Sequence, residues 1–427
     1  MTPLRLVLAR RAFWPMFLTQ FLGAFNDNVF KQALILLLAF EGLRWSSLPP
    51  GILTNLCAGL FILPFFLFSG VAGQWADRYE KARIARVVKV AEVVLMLCAL
   101  AGFLSGSLGL LLLTLFGMGL HSTVFGPVKY AWLPERLATD DLMAANALVE
   151  TATSLAILLG SLTGGVLVML FHDQPGLIGV ALVMLAVLGW LCSLWLPVGQ
   201  PAAPALPIDA NLWRSTRASL AVLGLTPLRH RLALGISWFW LFGAVWLTQL
   251  PQYTQHYLAA DAGVATLLLV TFSVGIALGS LACNRLAGQM PPGRLMLAGA
   301  GAMCLFSLLL PMTPVTGELQ DVSTWLAHAQ ARPVLGLLTL IGAAAGLYIV
   351  PLYALIQAGA GLQERARVIA GINVLNALFM VGSALASLVW LGVLGWPLHT
   401  LLITLALATI VFSWRWRLPP GTTMPGH

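Results

Sequence analysis

Of the chain's 427 residues, 59% are hydrophobic and only 9% are charged, with 23 lysines and arginines against 15 acids and a formal charge of +8. Soluble domains carry about 25% charged residues, so this composition excludes an ordinary aqueous globule and points to an integral membrane protein. The positive balance is not a nucleic-acid footprint, because the charges fall in short clusters between apolar runs, as a topology signal does.

Arg5, Arg10 and Arg11 precede a first apolar run that is too long for a secretory signal and contains Asp27, so a retained span is expected. Apolar runs then follow at about 13–40, 51–74, 85–105, 108–132, 142–171, 176–197, 232–257, 263–286, 294–312, 333–356, 368–392 and 395–414. About 20 residues of helix cross a bilayer. The expectation is an all-α membrane protein of twelve transmembrane helices, since in lipid each helix must satisfy its own backbone. With the N-terminus inside, every lysine and arginine except Lys31, Arg44 and Arg332 falls on the inner side. That asymmetry predicts both termini in the cytoplasm and a multi-pass protein of the bacterial inner membrane.

The Pro/Ala-rich and then basic stretch 198–228 reads as a cytoplasmic linker with a short surface helix around Asn211–Leu223. It separates an N-terminal six-helix half (1–197) from a C-terminal one (229–427). Faint symmetry relates them: Pro127 and Tyr130 match Pro351 and Tyr353, and Gly160-Ser161 matches Gly382-Ser383. Two parallel six-helix repeats with substrate between them is the architecture of the major facilitator superfamily. The loop Gly73-Gln-Trp-Ala-Asp77-Arg78-Tyr-Glu80-Lys81-Ala-Arg83 resembles that superfamily's conserved loop, with Glu80 where a glycine is usual. The resemblance gives Gly73, Asp77, Arg78 and Arg83 a conformational role, in which they bridge helix ends on the cytoplasmic side and stabilise the outward-open state. The loop after the eighth span, Asn284 to Arg294, has lost the acid.

Chemistry concentrates in the first span, where Gln20, Asn26, Asp27, Asn28 and Lys31 interrupt apolar sequence. Charges at bilayer depth normally face a water-filled path or a partner, and Asp27 and Lys31, at i and i+4, share a helix face with each other and roughly with Gln20. A polar stripe lining a transport cavity is expected. Elsewhere, Lys89 and Glu92 can pair locally, and Lys129 can pair with Glu150 across a short loop, as a clamp or as part of a headgroup site. His121 reads as a proton carrier or as a packed histidine. The second half offers amides (Gln249, Gln252, Asn373 and Asn376) but no deep charge; such amides serve as substrate contacts or as glue between helices. The cysteines and histidines have no metal-ligand spacing, and no phosphate loop is present, so neither a cofactor, a metal nor an enzyme activity is expected.

Phe25-Asn26-Asp27-Asn28, Phe125-Gly-Pro-Val-Lys129-Tyr130-Ala131, Asn146-Ala-Leu-Val-Glu150 and Arg365-Ala-Arg367-Val-Ile-Ala-Gly371-Ile-Asn373-Val-Leu-Asn376 together resemble the bacterial lysophospholipid transporter (LplT) family. Trp238-Phe-Trp240 and Leu247-Thr-Gln249-Leu-Pro251 further resemble the transporter halves of acyltransferase fusions. The resemblance implies a flippase that moves lysophospholipids, chiefly lysophosphatidylethanolamine and lysophosphatidylglycerol, to the inner leaflet by alternating access. An acyltransferase/acyl-carrier-protein synthetase, either a separate protein or a portion outside this sequence, would then re-acylate them. The family's first-span acid maps onto Asp27, whereas a charge that a member carries on the seventh span has no match here. A one-chain lipid suits a polar stripe beside apolar surface, because exposing its tail to water costs about 0.8 kcal/mol per methylene. Asp27 would take the ammonium, Lys31 or Lys129 the phosphate, and Phe25, Phe30, Trp238, Phe239 and Trp240 the tail. The competing expectation is a proton-coupled exporter of amphipathic drugs or metabolites, with Asp27, Glu92 or Glu150 cycling a proton.

Overall fold

The computed structural model describes residues 3–45, 50–313, 315, 317–419 and 422, and fifteen α-helices fill most of them. In order these are α1 (Pro3–Ala9), α2 (Phe13–Trp45), α3 (Pro50–Arg78), α4 (Lys81–Ser105), α5 (Leu108–Arg136), α6 (Leu142–Phe171), α7 (Pro175–Leu194), α8 (Leu212–Leu223), α9 (Pro227–Leu258), α10 (Ala262–Leu286), α11 (Pro292–Leu308), α12 (Val322–Ala327), α13 (Ala331–Gly359), α14 (Arg365–Leu388) and α15 (Leu398–Arg415). Each apolar run of the sequence falls on a single helix. Among the described residues, ten helices are long and apolar enough to cross a membrane; α2, with 33 residues, and the shorter apolar α11, with 17, occupy the two remaining runs. The protein is thus a multi-pass, all-helical membrane protein. Large apolar side chains such as Leu104, Leu113, Met169, Met184 and Val411 stay exposed, as contact with lipid requires. The side chain of Arg44 lies outside the described residues.

The chain forms two compact units. The first comprises residues 1–138, 156–225 and 360–377; the second comprises 139–155, 226–359 and 378–427. The first turns of α6 therefore belong with the second unit, and the first turns of α14 with the first.

In the first unit, Val29, Phe30, Leu34, Met96, Phe103, Leu115, Met118 and Leu182 build one apolar core from α2, α4, α5 and α7. Helix α2 can lie close against α6 because of Gly160 and Gly164, where a Cβ would fall 2.5 Å from the Phe25 carbonyl oxygen and 2.7 Å from that of Val29. Small residues four apart permit such backbone approach in membrane helices. The linker is fastened to the helix ends. Arg136 donates to the carbonyls of Pro197 and Val198 at 3.2 and 2.8 Å, the Asp209 N–H donates to Gln74 at 2.7 Å, and Gln74 in turn donates to Ser215 at 3.0 Å. The expected surface helix is α8, capped by the Asn211 side chain accepting from the Arg214 N–H. The Asn211 N–H and the Arg214 guanidinium hold the exposed Asp209 carboxyl below its usual range.

In the second unit, α10 and α13 cross on glycines of both helices: a side chain at Gly342 or Gly346 would collide with the carbonyls of Phe272 and Ile276. Helix α13 is buried along much of its length, with Tyr348 and Tyr353 in the interior.

Candidate functional site

A buried polar cluster occupies the middle of the first unit, contributed by α2, α4 and α5. Glu92 on α4 is fully buried, and both of its oxygens are engaged. Oε1 accepts from Asn26 Nδ2 at 2.9 Å; Oε2 accepts from Lys89 Nζ at 2.6 Å and lies 3.1 Å from His121 Nε2. Lys89 is itself fully buried, with its ammonium 5.4 Å from the centre of the Phe125 ring. Gly23 makes room for it on α2, since any Cβ there would collide with Lys89 Nζ. A buried charge without partners would cost several kcal/mol, so this arrangement explains how two full charges survive there. The local Lys89–Glu92 pair expected from the spacing is formed, and His121 is packed against it.

Asp27 is treated differently. Its Oδ2 accepts a hydrogen bond from the Ser122 hydroxyl on α5, while its Oδ1 is buried and has no hydrogen-bond partner among the described residues. Lys31, one turn further along α2, is half-buried; its ammonium lies 5.3 Å from the centre of the Phe61 ring, and among the described residues no ion pair joins it to Asp27. A cation over an aromatic face is held by the ring quadrupole without being neutralised. One turn of α2 thus carries an acid with an open oxygen and a cation set over a ring. Asn26 Oδ1 is likewise buried and unpartnered, Asn28 donates to the Ala24 carbonyl at 2.7 Å, and Gln20 is buried nearby on the same helix.

At the ends of the helices that carry the basic loops, Asp77 on α3 is fully buried. It accepts from the N–H groups of Ala366 and Arg367 at 3.0 and 3.2 Å and from Arg367 Nε at 3.0 Å. It therefore caps the start of α14 from another helix, satisfying amides that would otherwise be orphaned. Gly73, one turn earlier, allows the crossing: a Cβ would lie 2.5 Å from that of Ala370. Arg78 stacks over Tyr79 at 5.6 Å, and Arg83 is exposed. Glu80, at the position where the loop departs from the common pattern, caps α4 by accepting from the Ala82 and Arg83 N–H groups at 2.9 and 2.6 Å. It also takes the Gly199 N–H at 3.0 Å. Lys81 pairs with Glu135 at 2.5 Å.

The sequence and the fold find their counterparts among known proteins. Residues 16–381 match the Major Facilitator Superfamily model. The chain is 30% identical over 388 residues to the lysophospholipid transporter LplT of Klebsiella pneumoniae, covering 87% of this chain and 85% of that one. It is 32% identical over 387 residues to the protein of the same name from an Enterobacter species, with the same coverage. The chain belongs to the LplT family of the major facilitator superfamily. Solved structures agree on the fold. The human organic anion transporter MFSD10 superposes with a TM-score of 0.72 at 17% identity, covering 96% of this chain and 99% of that one. A bacterial homologue of the iron transporter ferroportin gives 0.69 at 14% identity, covering 95% and 99%.

The other candidate residues of this LplT-family chain belong to other helices. Lys129 is half-buried, 4.4 Å from the centre of its neighbour Tyr130's ring, in the first unit; Glu150 is buried in the second. Trp238 stacks on Phe412 at 4.2 Å and donates to Thr409 at 3.1 Å, so its polar atom is spent on α15. Asn373 and Asn376 are buried on α14, with Asn373 Nδ2 unpartnered and facing Gly126. Ser122 has no distinguishing mark in the sequence: it looks like the other hydroxyls of apolar helices, most of which bond back to their own helix, as Thr123 does to Gly119 at 2.7 Å. Its position one residue after His121 is the available clue.

Proposed function

We propose that this protein carries lysophospholipids such as lysophosphatidylethanolamine from the outer to the inner leaflet of a bacterial inner membrane by alternating access. The observation that supports it best is the open carboxylate oxygen of Asp27, buried and unpartnered one turn from Lys31 on a helix of an LplT-family chain. A zwitterionic phosphoethanolamine head matches that pair: Asp27 takes the ammonium and Lys31 the phosphate. Gln20 and Asn28 lie on the same helix, and Lys129, Glu150, Asn373, Asn376 and Trp238 are secondary contacts in this reading. Polar groups at mid-depth beside apolar surface let the head pass while the tail stays in lipid, which avoids about 0.8 kcal/mol per exposed methylene.

Gly73, Asp77, Arg78 and Arg83 form the conformational loop in this reading. The tie from Asp77 to the start of α14 holds in one state and releases in the other. The distribution of lysines and arginines supports cytoplasmic termini. Re-acylation falls to an acyltransferase/acyl-carrier-protein synthetase.

The test is a flipping assay in proteoliposomes with labelled lysophosphatidylethanolamine, with and without an imposed proton gradient. Uptake in the absence of a gradient, lost on Asp27→Ala, supports the reading. Efflux of amphipathic compounds that depends on the gradient, with no lysolipid movement, would replace it with a proton-coupled exporter.

A further inference from the structure

Two carboxylates share the buried cluster of the first unit, and their surroundings divide the work between them. Every oxygen of Glu92 is engaged, by Asn26, Lys89 and His121. Among the described residues, Asp27 receives one donor, the Ser122 hydroxyl, on Oδ2, and keeps Oδ1 without one. The groups facing Asp27 from the packed helices are Lys89 and Glu92 on α4 and His121 on α5, together with Lys31 on its own helix. The Lys89 ammonium is already committed to Glu92, His121 Nε2 lies 3.1 Å from the same Glu92 oxygen, and Lys31 is held over Phe61.

We infer that Ser122 is a positioning residue for transport: by fixing Oδ2 it presents Asp27 to the substrate as a one-oxygen acceptor. An aspartate on a helix rotates about its terminal torsion over a broad, roughly two-fold range. Without Ser122, both oxygens would be free to turn toward Lys31 on the same helix, the cation that Glu92 does not hold. The carboxylate would then collapse into an internal pair. A single donor from α5 breaks that tendency and leaves one acceptor of defined direction. The Glu92 group serves the same end from the other side, because its full complement of donors keeps it from competing for a cationic head.

This inference rests on Asp27 meeting the substrate, so its test has one arm that does not need transport. In infrared difference spectra of the purified protein, wild type minus Asp27→Asn isolates the carboxyl bands of Asp27. Ser122→Ala is expected to shift those bands, and Ser122→Thr, which keeps the hydroxyl, to restore them. Bands that stay put in Ser122→Ala overturn the inference, whatever the substrate proves to be.

In the transport arm, Ser122→Ala is expected to raise the KM for lysophosphatidylethanolamine about ten-fold with a smaller change in maximal rate, and Thr is expected to recover most of it. The double variant Asp27→Asn/Ser122→Ala should be no worse than Asp27→Asn alone, because the hydroxyl acts through the carboxylate. Additive losses, or a melting temperature that falls in Ser122→Ala but not in Asp27→Asn, would mark Ser122 as packing only and overturn the role. If the bands shift but the wild type moves no lysolipid, positioning stands and the proposed substrate falls.

Discussion

Asn146 and Gln357 exchange two hydrogen bonds, Asn146 Nδ2 to Gln357 Oε1 at 2.7 Å and Gln357 Nε2 to Asn146 Oδ1 at 3.0 Å, with neither residue exposed. They lie 211 residues apart and join the first turns of α6 to the last turns of α13 within the second unit. Thr151, further along α6, adds a bond to the Ala277 carbonyl of α10 at 3.2 Å. In the first unit the corresponding tie, from α3 to the start of α14, is the charged one made by Asp77. The loop after the eighth span lacks an acid, and the second unit uses a neutral amide pair. Truncating one partner leaves the other buried and unsatisfied, at about 1–3 kcal/mol. Asn146→Ala should therefore destabilise the protein by that amount in detergent unfolding experiments. The Asn146→Leu/Gln357→Leu double variant should lose less than the two single leucine variants combined, because it removes both polar groups together.

Asp77→Ala removes the acceptor for two backbone N–H groups and one guanidinium at the start of α14. The expected outcome is uptake at least ten-fold below wild type with normal expression. Cysteines placed near Ala370 should also become more reactive toward a small thiol reagent. Asp77→Asn keeps one acceptor oxygen and should fall between the two. Labelled lysolipid uptake and thiol-labelling rates on the same preparations check both outcomes.

Lys31 does not pair with Asp27, so removing it should not rescue the loss of the acid. Asp27→Asn/Lys31→Gln is expected to be at least as impaired as Asp27→Asn, with Lys31→Gln the milder of the single variants. A double variant more active than Asp27→Asn would show instead that the two charges neutralise each other. Initial uptake rates of all four proteins, normalised to the amount of transporter, decide the matter.

Glu92 and Lys89 are both fully buried. Breaking such a pair by removing one partner costs about 3–5 kcal/mol, whereas replacing both by apolar groups is often tolerated. Lys89→Met and Glu92→Leu should therefore each lower the thermal stability markedly, and the double variant should recover much of it. Measuring melting temperatures of the four proteins by intrinsic tryptophan fluorescence checks this.

The order of spans was legible because each apolar run is long and bounded by charges or turn residues. The helix at Leu212–Leu223 was legible for a related reason, being amphipathic in a polar context with Asn211 at its cap. The Lys89–Glu92 pair followed from i, i+3 spacing alone. Contacts between helices were not legible. In a membrane helix the lipid face and the packed face are both apolar, so periodicity carries little information about rotation. Without rotation, the approach of Ser122 to Asp27 or of Gln357 to Asn146 has no signature. Glu80 is instructive. Its departure from the usual loop pattern looks like a defect in one dimension, yet a carboxylate just before Lys81 is what a helix N-terminus favours, and here it also holds Gly199.

That Asp27 receives the head of a lysophospholipid is tested most directly by the uptake of labelled lysophosphatidylethanolamine into proteoliposomes containing wild type or Asp27→Asn. The predicted result is uptake by the wild type without an imposed gradient, and a reduction of at least ten-fold in Asp27→Asn at equal incorporation and equal melting temperature. Uptake by Asp27→Asn at the wild-type rate would contradict it.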